Sequence, residues 1–259
     1  MDALTALRLQ LEWGADEALG DAPVDRLAPT AQAAPEPAAT PPSKPARPRA
    51  APAIVPASVL RAHDIAGAAN STAELRAALL AFDGCALKDT ATNLVFADGN
   101  PDAGLMLVGE GPGAEEDRAG LPFVGASGQF LDRMLASIGL SRENYLITNL
   151  IPWRPPGNRN PTDHEIVVCL PFLLRHIALV RPKRLVLLGA LSAKAVLGGN
   201  LGITRMRGKW TQAIIPGLAE PIPTLPVLHP AYLLRNHGAK RDAWADWIML
   251  RRTINADLG

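Results

Sequence analysis

LMLVGEGPGAEEDRAGLPFVG, residues 105–125, joins a five-residue apolar run to a loop of glycines, prolines and carboxylates. An apolar run without a polar break suits a strand covered on both faces, and such strands belong to parallel sheets flanked by helices. The loop that follows admits three readings. Its glycines suit a phosphate cradle, the consecutive acids Glu115, Glu116 and Asp117 suit a metal ion, and the lone aromatic Phe123 suits the wall of a pocket for something flat and polar. A dinucleotide-binding turn is disfavoured, because Pro112 interrupts the glycine pattern and Glu110, Glu115, Glu116 and Asp117 repel a pyrophosphate. A divalent ion is disfavoured by the lack of a histidine beside the acids.

Working outward, the pattern alternates. A helix is expected from Ser127, with apolar Phe130, Leu131, Met134, Leu135 and Ile138 on one face and Gly139 as its stop signal. Then come a strand at YLIT (145–148), a long helix capped by Thr162 with Glu165 and kinked at Pro171, and a strand at LVLLG (185–189). A helix at LSAKAVLG (191–198), a strand at LPVLH (225–229) and a last helix over 239–256 complete the series. Upstream, Ser71 with Glu74 forms a capping box for a helix to about Phe82. Strands alternating with helices require crossovers, so the fold class is α/β: a three-layer α/β/α sandwich with a central, largely parallel four-stranded sheet. In such sheets the ligand crevice lies at the carboxyl ends of the strands. The loops to inspect therefore follow Val108, Thr148, Leu188 and Leu228. Three carry unusual chemistry: the opening loop, NLIPWRPPGNRNPT (149–162) beginning with Asn149, and HPAYLLRN (229–236) beginning with His229.

Composition bounds the rest. The chain has 259 residues, is 48% hydrophobic and carries a net charge of +1, so contact with nucleic acid has to come from a local basic patch. Two cysteines, Cys85 and Cys169, are too few for a disulfide scaffold, which points to a reducing cytoplasm. No signal peptide or membrane-spanning run is recognisable, and a monomer is expected. Residues 1–20 place Leu4, Leu7, Leu11 and Trp13 at roughly helical spacing, a short amphipathic helix or tail that is a candidate tether for a protein partner. Residues 21–57 are rich in Pro and Ala and read as a disordered linker, leaving 58–259 as the catalytic domain.

Taken together and in order, GEGPGAEED, GLPFVG, TNLIPWRPPGNR and HPAYLLRN resemble the motifs of the uracil-DNA glycosylase superfamily, closest to its family-4 branch. The resemblance runs from about Phe82 to Trp247. It implies a DNA repair enzyme that flips uracil out of single- or double-stranded DNA and hydrolyses its N-glycosidic bond. In that frame Phe123 stacks on the base, Asn149 reads O4 and N3–H, Glu116 lies near the C5 edge, and Gly111 and Gly113 let the backbone approach base and sugar. His229 stabilises charge developing on O2, and Glu110 places the water or stabilises the cationic sugar. Where the best-known branch has an aspartate, this chain has Gly111, so no dedicated general base is evident. Arg205, Arg207 and Lys209, with Arg154, Arg159 and Arg235 beside the pocket motifs, are expected to grip phosphates, and Leu233 or Leu234 to wedge into the emptied stack. The resemblance also implies a [4Fe–4S] cluster on four cysteines. Only the second and fourth ligand positions are kept, at Cys85 and Cys169; Phe82 and Trp153 stand at the first and third, so no cofactor is expected.

Overall fold

The computed structural model describes residues 56–256. The expected tail at 1–20 and nearly all of the expected linker at 21–57 lie outside the described residues. A helix, Ala57–Ala68, starts directly after Pro56 and buries Ala62 and Ala66. Its alanine-rich face gives little apolar contrast, so the sequence, which begins the domain at 58, does not single it out as a helix.

Six strands form one sheet: β1 (Ala97–Gly99), β2 (Leu105–Gly109), β3 (Leu146–Asn149), β4 (Arg184–Leu188), β5 (Thr211–Ala213) and β6 (Ile222–Val227), in the order β1-β3-β2-β4-β6-β5. The four expected strands are the central ones, and all pairings among them are parallel. Two three-residue strands extend the sheet at its edges, both antiparallel. Their sequences, ADG and TQA, have no apolar alternation to betray them.

Side chains alternate across the sheet with the period of two that a strand dictates. Met106, Val108, Leu185 and Leu187 face a core completed by Leu75, Leu79, Val168, Phe172 and Ile177. Leu105, Leu107, Val186, Leu188 and Val227 face the opposite core, completed by Leu131, Leu135, Trp247 and Leu250. Fully burying one such side chain is worth about 1.5–3 kcal/mol, so the two cores dominate the stability of the sandwich. The helix Asp163–Val180 has the expected cap: Thr162 Oγ1 accepts from the Glu165 N–H (3.3 Å) while the Glu165 carboxylate accepts from the Thr162 N–H (2.7 Å). It continues through Pro171 to Val180. Among the described residues no helix is long and apolar enough to cross a membrane.

Register positions the site. Gly109 pairs with Asn149, and Leu188 with Val227, so all four central strands end level and release their loops at one edge.

Candidate active site

At that edge a cavity of about 290 Å³ is lined by Glu110, Gly111, Gly113, Glu116, Phe123, Asn149, His229 and Arg235, together with Ser127 and part of the 155–161 loop. The loops after β2, β3 and β6 thus converge as their positions in the sequence suggested.

Asn149 ends β3 and is 5% exposed, yet neither its amide nitrogen nor its amide oxygen has a hydrogen-bond partner. An unmet buried polar group costs about 1–3 kcal/mol, and here a donor and an acceptor sit side by side unmet. Such an arrangement persists where a ligand supplies the complement. Gly109 makes the space: a Cβ there would lie 2.4 Å from Asn149 Oδ1 and 2.4 Å from the Phe123 ring.

Phe123 holds a left-handed backbone, with φ of 57°. For a bulky side chain that costs on the order of 1–2 kcal/mol. Its ring is buried and lies 5.9 Å from the His229 ring, the two planes inclined by 34°. His229, the N-cap of Pro230–Arg235, accepts through Nδ1 from the Ala231 N–H at 3.1 Å. Burial, aided by the charge of Arg235, lowers its pKa to about 4. The ring is therefore neutral near pH 7, and with Nδ1 accepting, its proton sits on Nε2 as a donor.

Glu110, the first residue after β2, is held by the loop after β4, the one loop of the four whose sequence offered no chemistry. Its carboxylate accepts from the N–H groups of Ala190 and Leu191, the latter at 3.3 Å, at the start of Ala190–Leu197. Burial raises its pKa against these bonds and the charge of Arg235. Gly189 permits the contact, with φ of 105° and only 2.3 Å from the Glu110 carboxylate to where a Cβ would stand.

The other acids serve the backbone. Glu116 accepts from the N–H groups of Gly113 (3.0 Å) and Gly125 (2.8 Å), tying both ends of the loop together while lining the cavity. Asp117 accepts from Thr92 (2.8 Å) and Asn93 (3.1 Å). Two of the three acids in the run are thus spent on loop architecture, and Glu115 is exposed.

Two expected DNA contacts are corrected. Arg207 is committed inside the protein: its Nε donates to Asp246 at 2.9 Å and its terminal nitrogens bind Asp246 and the Asp242 carbonyl. Leu233 is 0% exposed, packed with Leu228 and Ala243, because its position on the short helix Pro230–Arg235 faces the core; Leu234 beside it is 36% exposed. Arg205, Lys209 and Arg235 are exposed. Arg154 binds Asn158 (2.8 Å) and Arg159 forks onto Glu165 (2.7 and 2.9 Å), so both shape the loop after β3. Sequence reasoning did not single out Ser127, Asn158 or Asn160 as cavity residues. The last two lie within a quoted motif; Ser127 carries no signal beyond its place at a helix start.

The residues present do not fit a four-thiolate cluster. Cys85 and Cys169 are buried and share a hydrogen bond, which together with burial pushes the Cys169 thiol up and keeps it protonated. Phe82 and Trp153 are each 2% exposed, and the Phe82 ring packs on Phe172 with centroids 5.1 Å apart. Two thiols and two apolar rings are the wrong donor set. Among the described residues no group of three or more His, Cys, Asp or Glu is arranged to hold a metal.

A family model described as the uracil DNA glycosylase superfamily matches residues 96–248. The chain is similar to the type-4 uracil-DNA glycosylase of Thermotoga maritima, at 42% identity over 60% of this chain and 78% of that protein. It is similar also to those of Archaeoglobus fulgidus, at 40% over 63% and 83%, and Pyrobaculum aerophilum, at 38% over 64% and 86%.

Proposed function

The chain belongs to the uracil-DNA glycosylase superfamily, and from that premise we propose that residues 58–259 act in base excision repair by drawing a uracil out of DNA into this cavity, hydrolysing its N-glycosidic bond and leaving an abasic site. The observation that carries the reading is the unpartnered amide of Asn149 beside the Phe123 ring. Uracil presents O4 as acceptor and N3–H as donor on one edge, which meets both halves of that amide. Cytosine presents the opposite polarity on the same edge and mismatches the amide in the orientation that suits uracil. Phe123 returns part of the lost stacking energy. Glu116, on the cavity wall, is assigned to the C5 edge, where bulk rejects a methyl.

Cleavage breaks the N1–C1′ bond, and its electron pair leaves with the base. In this reading the Nε2–H of neutral His229 donates to uracil O2 as that charge develops, supported by the Ala231 bond that fixes the ring and by its lowered pKa. Water adds its oxygen to C1′, and its proton is finally taken up by the departed uracil. Glu110, with its raised pKa, orients that water and offsets the positive charge on the sugar. Arg205, Lys209 and Arg235 grip the phosphates, and Leu234 fills the gap in the stack. The enzyme uses no cofactor.

The test is incubation with single- and double-stranded oligonucleotides carrying one uracil, followed by alkali. Strand cleavage at the uracil position is expected. Intact strands despite measurable DNA binding would instead identify a silent DNA-binding member of the superfamily.

A further inference from the structure

Arg142 lies outside every motif quoted above, in the single turn Arg142–Asn144 that precedes β3, yet it is the most heavily bonded side chain near the pocket. One terminal nitrogen donates to the Phe123 carbonyl at 2.7 Å and to Asp132 Oδ2 at 3.2 Å. The other donates to Asp98 Oδ2 at 3.1 Å and to the Pro122 carbonyl at 3.3 Å, and Nε donates to Asp132 Oδ1 at 2.9 Å. Tyr145 steadies Asp132 with a further bond of 3.0 Å. A strand edge, a helix and a turn therefore meet on one guanidinium, which also holds two backbone carbonyls of the loop that carries Phe123.

That backbone is where force is needed, because Phe123 is one of three non-glycine residues with positive φ among those described. On its other side stands Gly128, where a Cβ would lie 1.9 Å from the Phe123 carbonyl oxygen. The carbonyl is thus gripped between Arg142 and the glycine turn of the helix Ala126–Ala136. With the carbonyl fixed, the ring is aimed over Gly109 and beside Asn149 and His229. Released, the residue has every reason to relax to a negative φ and carry the ring away.

We propose that Arg142 is a positioning residue that holds Phe123 in its left-handed conformation and so determines how tightly the pocket stacks on an extruded pyrimidine. The inference rests on the glycosylase reading of the same site. Lysine cannot replace it, since a point charge on a flexible stem cannot span two carboxylates and two carbonyls at once.

The experiment is a double-mutant cycle of Arg142→Lys with Phe123→Leu, reading single-turnover uracil release, inhibition by free uracil and thermal unfolding. In otherwise wild-type protein Arg142→Lys should lower both uracil release and affinity for free uracil by about tenfold, with binding of uracil-free DNA unchanged. In the Phe123→Leu background the same change should cost no more than about twofold, because the ring through which Arg142 acts is gone. Losses that multiply in the double mutant, or an Arg142→Lys protein that binds uracil normally, would overturn the proposal. Should Arg142→Lys fail to fold, Asp98→Asn loosens the same guanidinium from the strand edge and should shift uracil affinity in the same direction; unchanged affinity there also overturns it. Wild-type protein that releases no uracil refutes the glycosylase reading itself, a result distinct from any of these.

Discussion

A single hydrogen bond decides what His229 can do. Because Nδ1 accepts from the Ala231 N–H, and because burial and Arg235 depress the pKa to about 4, the ring offers a neutral Nε2–H donor throughout the neutral range. His229→Ala should therefore slow single-turnover uracil release by about 10²-fold or more, the usual loss for one donor to a developing oxyanion, with DNA affinity nearly unchanged. The sign of the pH dependence follows: protonation at Nδ1 removes the acceptor for the Ala231 N–H, so the bond that orients the ring is intact above the depressed pKa and is lost only as pH falls through about 4. A wild-type rate that drops with a midpoint near 6.5, and whose drop disappears in the alanine variant, would show an imidazole titrating normally. At this scale the sequence is unevenly legible. Asn149 and His229 stand at strand ends where a sheet delivers its ligand contacts, so order along the chain identifies them. Arg207 and Leu233 read as surface residues in one dimension, yet one is claimed by Asp246 and the other by the core, and no local pattern records such partners.

Elements were legible in proportion to how fully they are buried. β2 is a continuous apolar run and β3, β4 and β6 are largely apolar and buried, whereas β1 and β5, at the sheet margins, need no apolar pattern and show none. The loop after β4, although expected at the crevice, shows no chemistry in its side chains for another reason: it contributes backbone N–H groups to Glu110, and main-chain donors leave no signature beyond Gly189. The segment around Phe82 and the loop around Trp153 pose the element-scale question of what replaces a metal cluster. Phe82 folds over Gly84, its ring 2.4 Å from where a Cβ would stand, and packs on Phe172; Trp153 is equally buried. Apolar side chains thus stand at the two positions where the resemblance implies thiolates. Purified protein should be colourless, without the broad absorption roughly near 400 nm of thiolate-bound iron clusters and without stoichiometric iron and sulfide. Anaerobically prepared material containing both would refute the absence of a cluster. Phe82→Cys combined with Trp153→Cys should permit iron–sulfur reconstitution, since Cys85 and Cys169 remain side by side.

In acid, the stability of the fold depends on two buried histidines, one of which has no part in the chemistry. His176 lies in the core on the far side of the sheet, 3% exposed, its ring stacked on Phe96 with centroids 4.5 Å apart and planes 19° from parallel. Burial alone lowers its pKa to about 4, against an unfolded value of about 6.5. The unfolded chain therefore binds a proton more readily than the folded one. The stability this neutral ring supports is complete above about pH 6.5 and is lost progressively as pH falls toward the folded value. Glu165 acts in a lower window, because its bond to Arg159 lowers its pKa to about 2 and its contribution begins to fade only below the ordinary carboxylate range. The two windows separate the causes: a loss already under way at about pH 5 belongs to the buried histidines His176 and His229, both with the pKa lowered to about 4. From about pH 7 to about pH 5, His176 alone should cost roughly 2 kcal/mol of unfolding free energy, measurable as a lower urea midpoint. His176→Phe keeps a flat ring against Phe96 and removes one of the two titrating groups, so its urea midpoint should fall about half as much over the same interval. If wild type and variant lose stability in parallel, protonation elsewhere drives acid unfolding, and His176 is only packing.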